Sequence, residues 1–574
     1  MGRYRPRSRT LALVSLCSCL TIITFFVLNA PSRAHATNWT NEWDITEAYP
    51  IYLNADSFSN LDGLSLSYSE TIFWVKYATH IWRQRTGVTF EFWIQDANHN
   101  SKSLECNKKA GENVDDDYDN DSEIAVVSKA NSEQDINPQA AASTERETDS
   151  NGDVREADIC IWEGGSAVKD AWAVKASKFP KSNLMDLVKV MVHELGHALG
   201  SVGHEDYTVM DPSGAGLSTT RGRYPYGHDV QGIHSLWGDP IQRQRRWQKW
   251  DWENSEWLAP YSFAANKAIM YTTGDIGYTG DFERWQVIST SITATAGDEG
   301  ARINWSRQDY PLSPNESWTN RWIDYPGTWR PPGIAGGEYG LWVTAWTNSY
   351  DNWLQDCFIR VGVTTDAFDS LSVSKLANSC TLHQPALAYD YDDDRFVLVY
   401  SRDCDGEDNS NCPSNDQVYA RTSTDGTNWT SPQDLGFTAP GGPSVSCDHS
   451  GDCLISYMDP DDRLPRPITQ HATVDSNGNV ELHSSSGGDR KVQDTPMVDE
   501  TWNGSSDVIF LGIDSYAVSG GGGDANGDAK SVTSHSSQRP MPFSSWEQAT
   551  DKNTYRGDPA GSSYREKIYY FTVD

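Results

Sequence analysis

Positive charge is scarce in this chain. Its 46 lysines and arginines face 80 aspartates and glutamates, a formal net charge of −34. So acidic a surface repels phosphate, which argues against nucleic acid and anionic lipid as partners. Long apolar runs are scarce too: after Leu28 no stretch is long enough to cross a bilayer, which needs about 20 such residues. Cysteine is sparse, ten in 574 residues. Helical periodicity is missing altogether from Ala259 onward, where short alternating strands follow one another.

The chain starts with Arg3, Arg5, Arg7 and Arg9, an apolar run from Leu11 to Leu28, and Ala34-His35-Ala36 as a small-x-small cleavage site. Residues 1–36 therefore read as a signal peptide, and the protein as secreted and extracellular, with an uncleaved anchor as the alternative. The remainder is too long for one core and allows two or three domains. Cys17 and Cys19 lie in the apolar run, leaving eight cysteines outside it, an even number that suggests disulfides in an exported protein. Sequence does not fix connectivity; the expected pairs are Cys106–Cys160, Cys357–Cys380, Cys404–Cys412 and Cys447–Cys453.

The densest chemistry lies in Val192-His193-Glu194-Leu195-Gly196-His197-Ala198-Leu199-Gly200-Ser201-Val202-Gly203-His204. Histidines four apart on a helix lie about 40° apart around the axis and roughly 6 Å along it, so both can reach one ion. A catalytic zinc takes three protein ligands and keeps one position open. Glu194 is placed to accept a proton as a general base. Gly200 is expected to end the helix in the left-handed conformation, returning His204 as third ligand. Met210 reads as a packing residue under the metal, because thioether sulfur is soft. His228 and His234 read as structural.

His193-Glu194-x-x-His197-x-x-Gly200, Val209-Met210-Asp211-Pro212 and the run Asp229 to Gly238 resemble the metzincin zinc endopeptidases, and within them the matrixin-like members, over roughly residues 51–238. The resemblance implies an α+β metzincin-like catalytic domain over 37–238. It also implies a secreted zinc-dependent endopeptidase, a metalloprotease hydrolysing protein or peptide substrates, with catalytic Zn2+ on His193, His197 and His204 and Glu194 as general base. The family pattern puts its third histidine where Gly203 stands; His204 comes one residue later, with Glu205 or Asp206 as substitute oxygen ligands. The matrixin latency cysteine and the histidines of its structural zinc are absent from the sequence.

Around this motif, Ile51–Asn54 is expected as a strand, residues 69–85 as an amphipathic helix and 88–93 as a strand. Residues 98–156 read as polar. There Asp115, Asp117, Asp119 and Asp121, and then Asp149, Asn151 and Asp153, alternate as structural Ca2+ ligands do, although solvated acidic loop is the simpler reading. Residues 157–162 are a strand, which the resemblance makes the edge along which substrate lies; 171–176 is a weaker one. Asn183 is expected to cap the zinc helix, with Asp186 in its first turn.

Residues 239–258, rich in arginine and tryptophan, read as a linker packing two domains together. Beyond them lies a repeat. Pro385, Pro443 and Pro496 each precede a strand pair, at a period of about 50–60 residues that suggests propeller blades, five or six in 259–574; a pair of β-sandwiches is the alternative. Ser423-Thr424-Asp425-Gly426-Thr427-Asn428-Trp429 resembles the Asp-box hairpin of sialidase-like propellers. Asp524, Asn526 and Asp528 offer a further calcium loop. The arginine cluster and tyrosine–glutamate pair of a sialidase cannot be assembled from the sequence, so this half reads as a module binding substrate, glycan or cell surface. The alternative for the whole chain is an inactive peptidase-like adhesin or lectin with a carbohydrate-binding or sialidase-like propeller.

Overall fold

The computed structural model describes residues 49–94 apart from isolated positions, then 123–127, 141–148, 154–164, 171–174, 184–201, 209–210, 225, 229 and 232–233, and from 245 onward the strands and turns below. Residues 1–36, read as a signal peptide, and both acidic runs, 115–121 and 149–153, lie outside the described residues. Among the described residues no helix is long and apolar enough to cross a membrane.

The described part is mostly β-sheet with few helices. In the N-terminal region, β1 (Tyr49–Leu53), β2 (Phe90–Ile94), β3 (Glu123–Val127), β4 (Ala142–Thr148) and β5 (Val154–Trp162) share one sheet, while β6 (Ala171–Ala173) pairs with β7 (Leu184–Asp186). Helix α1 spans Tyr68–Thr86, and its start is closed by a capping box: Ser67 N donates to Glu70 Oε2 at 2.8 Å and Glu70 N to Ser67 Oγ at 3.4 Å. Helix α2 spans Leu187–Ala198. Its cap is Asp186, whose carboxylate accepts from Lys189 N at 3.2 Å; Asn183, expected in that role, lies outside the described residues.

Strands β1, β2, β3 and β5 are parallel and β4 is antiparallel, in the order β2-β1-β3-β5-β4. The expected edge strand, 157–162, is therefore interior. The edge is β4, drawn from the stretch read as polar loop. Its outer position leaves it half solvated, so its sequence carries no apolar run to announce it. Ile51, Leu53, Trp82, Ile159, Ile161, Val188 and Val192 fill the core between this sheet and the two helices.

From residue 245 onward the strands form a ring. Blade 1 is β11 (Thr273–Gly280), β12 (Trp285–Thr293), β13 (Ala301–Asp309) and β14 (Thr319–Thr328); blade 2 is β15 (Gly333–Gly336), β16 (Trp342–Thr347), β17 (Phe358–Thr364) and β18 (Ser372–Cys380). Blade 3 is β19 (Ala386–Asp390), β20 (Arg395–Arg402), β21 (Gln417–Ser423) and β22 (Gln433–Thr438); blade 4 is β23 (Ser444–Cys447), β24 (Asp452–Asp459), β25 (Arg466–Val474) and β26 (Val480–Gly487). Blade 5 holds β27 (Met497–Glu500), β28 (Asp507–Asp514), β30 (Asp528–Ser534) and β31 (Glu547–Gln548); between them β29 (Gly523–Asp524) leaves to pair with β2. Blade 6 joins β32 (Ala560–Tyr564) and β33 (Lys567–Val573) to β8 (Arg245–Asp251) and β10 (Tyr261–Ser262), with β9 (Glu256–Trp257) beside β8. The first strands β11, β15, β19, β23, β27 and β32 pack side by side in that order, and β32 returns to β11. This is a closed six-bladed propeller, sealed by pairing the last strand with the first.

The expected linker 239–258 thus contains β8, a strand of the closing blade. Its partner β33 lies at the far end of the chain, out of reach of any local reading. The proline repeat does mark blades: Pro385, Pro443 and Pro496 each stand just before an innermost strand. Strand β20, next to the innermost strand of blade 3, shows why the strand that follows carries an apolar run. Phe396, Leu398 and Tyr400 pack toward blade 2, while Val397 and Val399 pack toward blade 4. Cys447–Cys453 is a disulfide, as expected, and Cys160 and Cys380 are disulfide-bonded too.

Candidate functional site

Helix α2 carries His193, Glu194 and His197. The two imidazole centroids are 4.8 Å apart with the rings at 86°. Two rings on one tetrahedral ion have centroids roughly 5 Å apart, given N–Zn distances of about 2.0–2.1 Å. Each ring is held by main chain through its Nδ1: His193 meets Val209 O at 2.9 Å, and His197 meets Ser201 O at 2.9 Å. Such a bond makes Nδ1 the protonated nitrogen and gives Nε2 the lone pair a metal needs. Val209 is itself fixed, donating its N–H to Asp229 Oδ2 at 3.0 Å. Asp229, Gly232 and Ile233 are helical, within the run read as a closing helix.

Glu194 is buried, and its Oε2 accepts from Thr144 Oγ1 on β4 at 2.7 Å. Trp82 Nε1 donates to Val192 O at 2.7 Å, fastening α2 to α1. Met210 is buried, and a Cβ on Gly196 would overlap its sulfur and come within 2.9 Å of Trp82 Cζ2, so only glycine lets the methionine pass beneath the helix. Gly200, with φ of 118°, ends the helix as expected. His204, Glu205 and Asp206 lie outside the described residues. Among the described residues no three His, Cys, Asp or Glu side chains are grouped as a metal centre. His193 and His197 do fit two positions of one, with their tautomers set. Thr144, Trp82 and Asp229 were not recognisable as partners in sequence, because each is brought to α2 and its neighbours by the fold.

The propeller's described feature is a pair of acidic turns. Between β21 and β22, Asp425 Oδ1 accepts from Thr427 N at 2.8 Å and Asn428 N at 2.7 Å, and Oδ2 accepts from Asn428 Nδ2 at 2.7 Å. Partial burial pushes this carboxyl up, but the Asn428 and Thr427 donors outweigh it and bring it down to about 2. Trp429 Nε1 donates to Gly426 O at 2.8 Å. At the same place in blade 4, Asp475 Oδ1 accepts from Asn477 N at 2.9 Å and Asn479 N at 2.7 Å. Sequence reading found the first turn and missed the second, which has no following tryptophan.

Each turn clasps the preceding blade. Gly478 O accepts from Thr422 Oγ1 at 2.7 Å, and Ser476 O from Arg395 at 3.1 Å. A Cβ on Gly426 would lie 2.5 Å from Val343 of blade 2. Arg421 is likewise engaged in this framework: it bonds Tyr400 Oη at 3.3 Å, Thr430 O at 3.3 Å and Ala377 O.

No protein-family model matches the chain, and no curated protein does. Solved structures similar to it include a point mutant of the NanB sialidase of Streptococcus pneumoniae, 12% identical over 37% of this chain and 32% of that one, TM-score 0.27. The hemagglutinin-neuraminidase ectodomain of parainfluenza virus 5 is 9% identical over 53% and 81%, TM-score 0.32. A GH43_1 enzyme of Xanthomonas citri complexed with xylotriose is 13% identical over 42% and 81%, TM-score 0.28. The chain spans about a third of the NanB chain. At these scores the propeller assignment rests on the closed strand ring itself. These similar structures are a sialidase, a neuraminidase and a GH43_1 enzyme, and none of the three is a zinc peptidase or an α+β metzincin-like catalytic domain. The expectation of a zinc metalloendopeptidase, with its matrixin-like and metalloprotease labels and its peptide substrate, is corrected accordingly.

Proposed function

We propose that the chain is an exported glycan-binding protein, its six-bladed propeller the recognition module and helix α2 the seat of a zinc site. The observation that carries the reading is the closed ring of six sheets clasped by Asp-box-type turns, the device of sialidase-like propellers. Binding is favoured over cleavage of a sialoside by two features. Arg421 is committed to main-chain carbonyls and to Tyr400, whose hydroxyl is buried in the blade and so raised in pKa. The net charge of −34 also disfavours an anionic sugar, so the ligand class is a neutral glycan.

In the same reading His193 and His197 hold Zn2+, with His204, the third histidine of the sequence motif, as the remaining ligand. Zinc bound there would supply Lewis-acid polarisation. The chain's own part is to fix both imidazoles through Val209 and Ser201, and to hold Glu194 beside them as a proton acceptor through Thr144.

A glycan array probed with the full chain tests the main reading, with a fluorogenic sialoside assayed in parallel. Binding to neutral glycans without sialoside hydrolysis is expected. Absence of any glycan signal, or turnover of the sialoside, overturns it. Zinc content per chain, measured in a chain carrying His471→Ala and His483→Ala, should approach one equivalent and fall below a tenth of that when His193→Ala is added.

A further inference from the structure

The sequence has 13 histidines. Besides the pair on α2, one other pair stands in ring contact among the described residues. His471 on β25 and His483 on β26 have centroids 4.8 Å apart and rings tilted by 43°. That separation equals the one on α2 and matches the roughly 5 Å of two imidazoles on one tetrahedral ion.

The backbone makes this contact. The register between β25 and β26 shifts between Gln470, opposite Ser485, and Ala472, opposite Leu482, so an extra residue of β26 is accommodated across from His471. A bulge of this kind re-aims a side chain. Gln470 holds it open, its Nε2 donating to His471 O at 3.1 Å and to Ser484 O at 3.1 Å. The third and fourth strands of blades 1, 2 and 3 carry similar shifts, but no histidine stands in them.

One ring is oriented by a carboxylate. His471 Nε2 lies 2.8 Å from Asp452 Oδ1, and His483 Nε2 lies 2.8 Å from Thr473 Oγ1. A carboxylate on Nε2 fixes that nitrogen of His471 as the protonated one and leaves Nδ1 its lone pair, the arrangement found behind metal-bound histidines; the Thr473 hydroxyl, donor or acceptor, lets His483 take the tautomer an ion selects. His483 is exposed and His471 is 18% exposed, so an ion has access from solvent.

We propose that His471 and His483 form a second metal site, on the outer half of blade 4, for a borderline divalent transition-metal ion. The two Nδ1 atoms are the ligands and Asp452 orients the first ring. Water completes the coordination, since among the described residues no third protein ligand is grouped there. Two imidazoles and water suit Cu2+ best, by the usual order of divalent affinities. This proposal stands apart from the glycan reading and from the site on α2.

The test is Cu2+ titration of the full chain carrying His193→Ala and His197→Ala, followed by electron paramagnetic resonance. One equivalent should bind, with coupling to two imidazole nitrogens. Adding His471→Ala or His483→Ala should weaken binding at least ten-fold while circular dichroism stays unchanged. Asp452→Asn, which keeps the shape and loosens the tautomer, should weaken it by about ten-fold. Unchanged affinity and stoichiometry in both histidine variants, or a spectrum without nitrogen coupling, overturns the proposal.

Discussion

Helix α2 and the Asp425 turn both hold a polar group in fixed geometry, and they do it by opposite means. Around α2 the partners come from afar: Thr144, Trp82 and Asp229 each lie on other elements. In the turn, every bond to Asp425 comes from within three residues. A site assembled from distant parts is only as firm as the packing between them, whereas a turn bonded to itself persists while its strands do. The first can be broken far from its chemistry; the second fails only at its own residues.

The sharpest way to break that contrast is Trp82→Ala. Trp82 is fully buried under α2 and donates to Val192 O. Its removal should cost about 3–5 kcal/mol of unfolding free energy in urea, by lost burial and the cavity left behind. Zinc content should drop with it, although Trp82 is no ligand. A loss below about 1 kcal/mol would show that α2 does not depend on α1. Thr144→Val is the finer cut. It strips the hydroxyl from a buried carboxylate and should cost about 1–3 kcal/mol, read by the same melt.

The same contrast explains what was legible in the sequence. His193, Glu194, His197 and the stop at Gly200 follow from spacing on one helix, and Asp425 with its donors follows from one heptapeptide. Both are local. Thr144 was hidden because Ser143-Thr144-Glu145-Arg146-Glu147-Thr148 is wholly polar and β4 takes its strand character from pairing with β5. Strand β8 was hidden because β33 pairs with it from the other end of the chain. The blades were visible because strands such as β20 are buried on both faces, which writes apolar runs such as Phe396–Tyr400 at a regular distance behind the prolines. The function class was misread for the same reason: a short motif names ligands, and the bulk of the fold belongs to the propeller.

An intermediate case is the β23–β24 turn, closed covalently by Cys447–Cys453 at a separation of 6 residues. Replacing both by alanine should cost about 2 kcal/mol, the loop entropy of so short a closure. Chemical denaturation with and without reductant measures it. If the turn is as autonomous as its neighbours, the variant keeps the wild-type dependence on denaturant and shifts only its midpoint. A changed slope would mean that the bridge holds blade 4 together over a longer range.

The gentlest comparison sets the two acidic turns against each other by pH. Asp425 is held at about 2 in the fold, below its ordinary 3.8. A depressed folded value means stability that is fully present above the unfolded pKa and lost as pH falls through the folded one, so the window runs from about 4 down to about 2. The group is largely exposed, so screening leaves about 1 kcal/mol at most. Asp425→Ala should remove this acid limb from the melting profile of the full chain. Asp475 is lowered too, by Asn479 first and then Asn477, whose amide reaches Oδ2 only at 3.4 Å. Asp475→Ala should therefore flatten the same limb less than Asp425→Ala does. Equal effects of the two would mean that the blade 3 turn gains nothing from Gly426 seating against Val343, and that its local bonds alone set its strength.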